Sequence, residues 1–264
     1  MALNVIQKIA KICDSVTKKE KRPFTTAIIL AAGKSTRMQN DEISKQMLEI
    51  DGVPVVVRSM LAFEGSDYVH EIVVVGTKDE LSVYKDFKRI YNITKLKTAV
   101  EGGDCRAKSA EHGFLRISPT AKFVAIHDAA RCLITTKDID RTIKEAQRYG
   151  AAIAAKKATD TVKIADKFGF VKETPERSLS WHAQTPQVFK KTIYDISLAK
   201  TDKLDDKITD DAMMVEKAGF HIKLVECKSE NIKITKPEDL AVAADILTKQ
   251  NQESILEEAT EESA

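Results

Sequence analysis

From Thr26 to Ala155 the chain repeats one unit: a short β-prone run, a turn, then a stretch with helical spacing. Thr26–Leu30, Glu71–Val75, Leu96–Val100, Lys122–Ile126 and Ala151–Ala155 read as strands. Val53–Phe63, Asp79–Arg89, Ala107–Ile117 and Thr136–Tyr149 read as the helices between them, with Gly76, Pro119 and Gly150 as stop signals. Strict alternation of this kind predicts an α/β fold, a Rossmann-like, doubly wound and largely parallel sheet with helices on both faces. Ligands of such sheets bind outside the carboxyl ends of the strands. Loops 31–46, 101–109 and 127–131 all follow predicted strands, so their side chains are expected to meet in one crevice.

The pattern breaks between about 156 and 186. Thr161–Ala165 and Phe168–Lys172 flank Asp166-Lys167 and read as a hairpin with many charges and few core residues. A two-stranded ribbon alone is marginal in water. It is therefore expected to protrude as a β-arm and lean on another subunit, making a homodimer. The α/β pattern then returns with a helix at Asp210–Ala218, a strand at His221–Val225 and a last helix from Pro237 to about Lys249. Three parts result: an amphipathic helical extension over 1–22, the main domain over 23–249, and a mobile acidic tail over 250–264.

A formal charge of +2 on 264 residues argues against bulk nucleic-acid binding, which marks itself by a strongly basic domain. Cys13, Cys105, Cys132 and Cys227 lie far apart with no CxxC pair, so neither a disulfide framework nor a structural zinc is expected, and a reducing, cytoplasmic setting fits. No apolar run reaches the length needed to span a membrane. In the extension, Val5, Ile6, Ile9, Ile12, Cys13 and Val16 fall at helical spacing among lysines. This pattern suits packing on the domain or on a partner, with a membrane-surface helix or transit peptide as the alternative.

Chemistry concentrates first in Ala31-Ala32-Gly33. Small side chains after an apolar strand let backbone N–H groups approach a phosphate closely. Lys34, Arg37 and Lys45 then supply positive charge in one short stretch. The Walker pattern and the GxGxxG fingerprint are both absent. A triphosphate loop of another kind remains, against the alternative of a helix N-terminus with solvated cations. Glu101-Gly-Gly-Asp-Cys-Arg-Ala-Lys-Ser109 can form a tight turn with amides facing a ligand, or an ordinary capped helix start. Asp128, at the end of an apolar strand, can hold a Mg²⁺ that bridges triphosphate oxygens, or cap a helix with Arg131 as its ion-pair partner. A Ser109–His127–Asp128 hydrolase triad is rejected, since no GxSxG elbow exists.

Leu30-Ala-Ala-Gly-Lys-Ser-Thr-Arg-Met38 with Lys45-Gln46 resembles the signature of the sugar-phosphate nucleotidyltransferases. His127-Asp-Ala-Ala-Arg131, Trp181-His-Ala-Gln-Thr-Pro-Gln187 and Asn231-Ile-Lys-Ile-Thr235 narrow the likeness to the 2-C-methyl-D-erythritol 4-phosphate cytidylyltransferase family, in the family's order from about Thr25 to Leu247. The resemblance implies transfer of CMP from CTP to a polyol phosphate, with pyrophosphate released and Mg²⁺ as cofactor. It implies Arg37 and Lys45 as the catalytic cations that stabilise the α-phosphate transition state. It places Ala31, Ala32, Gly33, Gly103, Asp104 and Ser109 around the nucleotide and Asp128 on the metal. Arg177, Lys233, Thr161, Thr185 and Arg131 become substrate-positioning groups, with Arg177 reaching across a dimer to the acceptor's phosphate. Ser44 and Cys132 stand where the family usually has prolines. A ribitol 5-phosphate cytidylyltransferase shares the glycine loop, the His-Asp motif and the Thr-Pro-Gln motif. Ala32 before Gly33, the pair Ala129-Ala130 and Trp181-His182 look more like the erythritol enzyme. A non-catalytic nucleotide sensor would have no need to keep Arg37, Lys45, Asp128, Arg177 and Lys233 together, and a nicotinamide dehydrogenase lacks its glycines.

Overall fold

The computed structural model describes residues 22–33, 44–200, 208–228 and 230–261, the last eight by backbone alone. Arg37, Lys34 and all but the last residue of the expected N-terminal helix lie outside the described residues.

The five strands predicted between Thr26 and Ala155 are all present in the sheet. They are β1 (Thr25–Leu30), β4 (Glu71–Gly76), β5 (Leu96–Glu101), β6 (Phe123–Asp128) and β7 (Ala151–Lys157). With β10 (Trp181–Lys190) and β11 (Lys223–Glu226) they make one seven-stranded sheet in the order β11-β7-β10-β6-β1-β4-β5. All neighbours in it run parallel except β10, which is antiparallel to β6 and β7. Among the described residues two short pairs complete the strands: β2 (Glu49–Ile50) with β3 (Val53–Pro54), and β8 (Ile164–Ala165) with β9 (Val171–Glu173).

Among the described residues there are seven α-helices: α1 (Val55–Glu64), α2 (Leu81–Ile90), α3 (Arg106–Phe114), α4 (Thr136–Tyr149), α5 (Lys191–Lys200), α6 (Asp211–Lys217) and α7 (Glu238–Glu261). Strand alternation decides which face each apolar residue covers. In β1, Ala27 and Ile29 join Val56, Met60 and Phe63 of α1 and Ile139 and Ile143 of α4. Ile28 and Leu30 face the other way, onto Ala110 and Phe114 of α3, Tyr194 of α5 and Val215 of α6. The doubly wound reading therefore holds. Among the described residues no helix is long and apolar enough to cross a membrane.

Local signals explain most of the boundaries. Thr135 caps α4 by accepting from the Asp138 N–H, and Gly150 closes it in the left-handed region at φ 90°. Asp210 caps α6 through the Met213 N–H. Val53 and Pro54 begin as strand rather than helix, so α1 starts two residues later than its apolar pattern suggests.

Three larger differences separate the structure from the sequence reading. The arm is shorter than 156–186: Trp181–Lys190 is a core strand, and the β8–β9 hairpin with its exposed flanks lies between β7 and β10. Pro186 and the polar residues of 181–187 disguise that strand. It tolerates them through a register shift between Ala183 and Gln187. Helix α5, directly after β10, was missed as well. Finally α7 runs on to Glu261 rather than ending near Lys249, so most of the expected mobile tail is helical.

Candidate active site

Chain order reverses at the β1/β6 boundary, because β4 and β5 add on one side of β1 and β6 on the other. This is the switch point where α/β sheets hold ligands. The loops after β1, β5 and β6 meet there.

The glycine loops touch. The Ala31 N–H donates to Val75 O at 2.7 Å and the Gly102 N–H to Gly76 O at 2.9 Å, which pins both loops to the end of β4. A side chain at Gly102 would run into Ala32 Cβ and Ser109 Oγ, so glycine here is required by close approach. Buried Ser109 is already engaged: its Oγ accepts the Gly103 N–H at 3.1 Å and lies 3.0 Å from Cys105 O. It fixes the shape of the loop from within. Asp104, by contrast, is exposed and pairs with Lys108 at 2.9 Å.

Lys45 sits in the turn where the Met47 N–H bonds Ser44 O at 2.9 Å. Its neighbour Gln46 is buried and reaches back through Nε2 to Gly33 O at 3.3 Å, which keeps the lysine's turn beside the glycine loop. Ser44, in place of a family proline, bonds Glu80, which also accepts from the Tyr84 hydroxyl at 2.9 Å. The other replacement, Cys132, is buried in a small core with Leu133 and Ile234, and burial pushes its thiol up to about 11.

A second group gathers at the end of β6. Asp128 Oδ1 accepts from Arg106 Nε at 3.0 Å and Oδ2 from Lys233 Nζ at 2.7 Å. Burial alone would raise its carboxyl, but Arg106 and then Lys233 hold it far below the usual carboxylate range. Arg106 also binds Asp211 through Nη1 at 2.6 Å, and Asp211 accepts from the Tyr194 hydroxyl at 2.8 Å. Arg131 Nη1 donates to Asn231 O at 2.9 Å, and the Ile234 N–H donates to Ala130 O at 2.8 Å. The segment carrying Lys233 is thereby laced to the turn after β6.

Thr185 supports this group from beneath. Its Oγ1 accepts the Asp128 N–H at 3.1 Å and bonds His127 Nδ1 at 3.1 Å. Burial pulls the His127 imidazole down to about 3, so it is neutral and packs against Phe63. Among the described residues Arg106 Nη2, Arg131 Nε and Asn231 Oδ1 are buried with no hydrogen-bond partner.

Of the residues singled out in the sequence, Ala31, Ala32, Gly33, Gly103, Ser109, Asp128, Arg131, Thr185 and Lys233 come together. Thr161 and Arg177 do not join them: both are exposed, on the segment between β7 and β10. Arg106 and Asp211 were missed as functional candidates. Arg106 stood inside a loop read for its glycines, and Asp211 inside a helix start.

The fit to a resident metal is poor. Asp128 has a cation on each oxygen, and among the described residues no group of three or more His, Cys, Asp or Glu side chains could hold an ion. The donor set suits a cation that satisfies most of its shell from phosphate oxygens and water.

A model of the 2-C-methyl-D-erythritol 4-phosphate cytidylyltransferase family matches residues 25–249. An enzyme of that name from Caldanaerobacter subterraneus subsp. tengcongensis is 40% identical over 228 residues, covering 85% of this chain and 99% of its own length. One from Clostridium botulinum is 40% identical over 224 residues, covering 85% and 97%. The crystal structure of 4-diphosphocytidyl-2C-methyl-D-erythritol synthase from Anaerococcus prevotii superposes with a TM-score of 0.76 at 30% identity, covering 86% of this chain and 96% of that one.

Proposed function

We propose that this chain, which belongs to the 2-C-methyl-D-erythritol 4-phosphate cytidylyltransferase family, transfers the CMP moiety of CTP to 2-C-methyl-D-erythritol 4-phosphate. The observation that carries the proposal is the convergence of the two glycine loops with the Asp128–Lys233–Arg131 group at the sheet's switch point.

The acceptor is a phosphate monoester with a second pKa of about 6, so its oxygen is a competent nucleophile near neutrality. It attacks the α-phosphorus of CTP in line. One P–O bond forms, the bond to the β-phosphate breaks, and pyrophosphate departs with the electron pair. No activated serine and no general base is required. Two polyanions must be aligned and the added charge offset. The glycine loops offer backbone amides to the triphosphate, and Arg37 and Lys45 are assigned to the α-phosphate and leaving group. Lys233 and Arg131, with Thr185 holding Asp128 beneath them, orient the acceptor. A Mg²⁺ arriving with CTP would offset triphosphate charge. A metal held by Asp128 alone is the weaker reading, given its two cationic neighbours.

We also propose that the arm pairs two chains. Ile164, Phe168, Phe170, Val171 and Leu179 are all large, apolar and exposed on or beside the hairpin. An isolated chain would leave this patch in water. In a dimer Arg177 and Thr161, remote from the local site group, would serve the partner's acceptor.

The test is pyrophosphate release from CTP and Mg²⁺ with 2-C-methyl-D-erythritol 4-phosphate, and in parallel with ribitol 5-phosphate. The expected result is turnover with the erythritol phosphate at least tenfold above the ribitol phosphate. Absence of pyrophosphate release with the former would overturn the assignment.

A further inference from the structure

Arg106 is the first residue of α3, three positions beyond Gly103, and its guanidinium is divided between two carboxylates. Nε faces Asp128, the carboxylate that holds Lys233, and Nη1 faces Asp211, whose side chain is only 3% exposed. Lys233, Asp128, Arg106, Asp211 and the Tyr194 hydroxyl form one continuous chain of contacts from the acceptor side of the crevice to the buried start of α6. Two cations and two carboxylates balance within it. The fork of a guanidinium can serve two carboxylates along fixed directions, which an ammonium cannot do.

We propose that Arg106 is a positioning residue for the acceptor. Anchored on Asp211, it holds Asp128 in one orientation, and Asp128 in turn sets where the Lys233 ammonium stands. Tyr194 completes the anchor: it is fully buried, its hydroxyl bonds the second oxygen of Asp211, and its ring stacks on Phe189 of β10. The rigid end of the chain is thus in the core and the adjustable end is the half-exposed lysine. Charge-assisted bonds of this geometry are both stronger and more directional than neutral ones. The inference rests on the acceptor role given above to Lys233.

Two variants test it. Arg106→Lys keeps the charge but loses the fork. Asp211→Asn keeps a shape that can still accept from Tyr194 but weakens the anchor, at a site remote from substrate. Each is compared with wild type for kcat, for KM of the acceptor, and for CTP·Mg²⁺ affinity by direct titration, with thermal melting to establish folding. The expected outcome is a rise of about tenfold or more in acceptor KM for Arg106→Lys and a smaller rise for Asp211→Asn, with CTP affinity within about twofold. If Arg106→Lys fails to fold, Asp211→Asn decides alone. Wild-type constants in a folded variant, or equal loss toward both substrates, would overturn the inference while leaving the reaction assignment standing. Absence of turnover in the wild-type protein would remove both.

Discussion

Replacing Gly102 by alanine isolates the contact on which the nucleotide side of the site depends. The added methyl would lie well inside van der Waals contact with Ala32 Cβ and 2.9 Å from Ser109 Oγ. A Cβ cannot rotate away, and Ala32 Cβ cannot either, so the two loops must part by about 1 Å, normal carbon contacts being about 3.5–4.0 Å. Both loops are held to the end of β4 by main-chain bonds of 2.7 and 2.9 Å, which makes that movement costly. Overpacking of this kind costs about 1–3 kcal/mol, and the absence of a flexible neighbour puts Gly102→Ala toward the upper end. For a chain of this size the melting temperature should fall by about 4–10 °C.

The kinetic effect should be larger than the stability effect implies. A displacement of about 1 Å in a positioning loop can cost about 10²-fold, so kcat/KM for CTP is expected to fall about a hundredfold. Gly113→Ala provides the contrast. Its methyl would meet Ile28 Cγ2 at 2.5 Å and Val75 Cγ2 at 2.8 Å, in the core beneath α3. It should lower the melting temperature comparably with little change in KM for CTP. Melting curves and steady-state kinetics on the two variants decide the matter. A Gly102→Ala protein with kcat/KM for CTP within twofold of wild type would refute the reasoning.

Lys45→Ala should reduce turnover by a factor of hundreds with an unchanged melting temperature, as for loss of one oxyanion donor worth about 3–4 kcal/mol; near-normal turnover would remove Lys45 from the chemistry. Thr185→Val leaves the buried Asp128 N–H and His127 Nδ1 unbonded, and should cost about 2–3 kcal/mol in chemical denaturation; a loss below about 0.5 kcal/mol would show that the hydroxyl is dispensable. Mixing inactive Lys45→Ala and Arg177→Ala proteins tests the arm. If each site draws on both chains, random exchange restores about a quarter of wild-type activity, because half the dimers then carry one intact site; no recovery after exchange would place Arg177 with its own chain's site.

The sequence disclosed what periodicity and local chemistry can encode. Strand-like runs located six of the seven sheet strands, β10 being the exception, and those buried on both faces read as unbroken hydrophobic stretches. The thin apolar pattern at β5 still counted, since Gly102-Gly103 punctuates it. Thr135 and Gly150 likewise announce α4 at both ends. What escaped were elements whose residues answer to another demand. Strand β10 carries Gln184 and Thr185 in its buried run because Asn231, His127 and the Asp128 N–H need partners there. Its composition therefore looks like a loop.

The site divides along the same line. Motifs contiguous in sequence, such as Ala31-Ala32-Gly33 and His127-Asp128, could be placed at strand ends without coordinates. Partnerships could not, because they join residues 22 to 105 positions apart that meet only in the fold. Asp128 read as a metal ligand or a cap so long as Arg131 was its only visible cation. Folding instead brings Arg106 from one loop and Lys233 from another onto its two oxygens, while Arg131 turns to Asn231. A carboxylate satisfied from both sides no longer needs an ion to explain its ionised state. Its natural work is then to aim a lysine, and the acceptor's phosphate is the charge in the proposed reaction at which that lysine would be aimed.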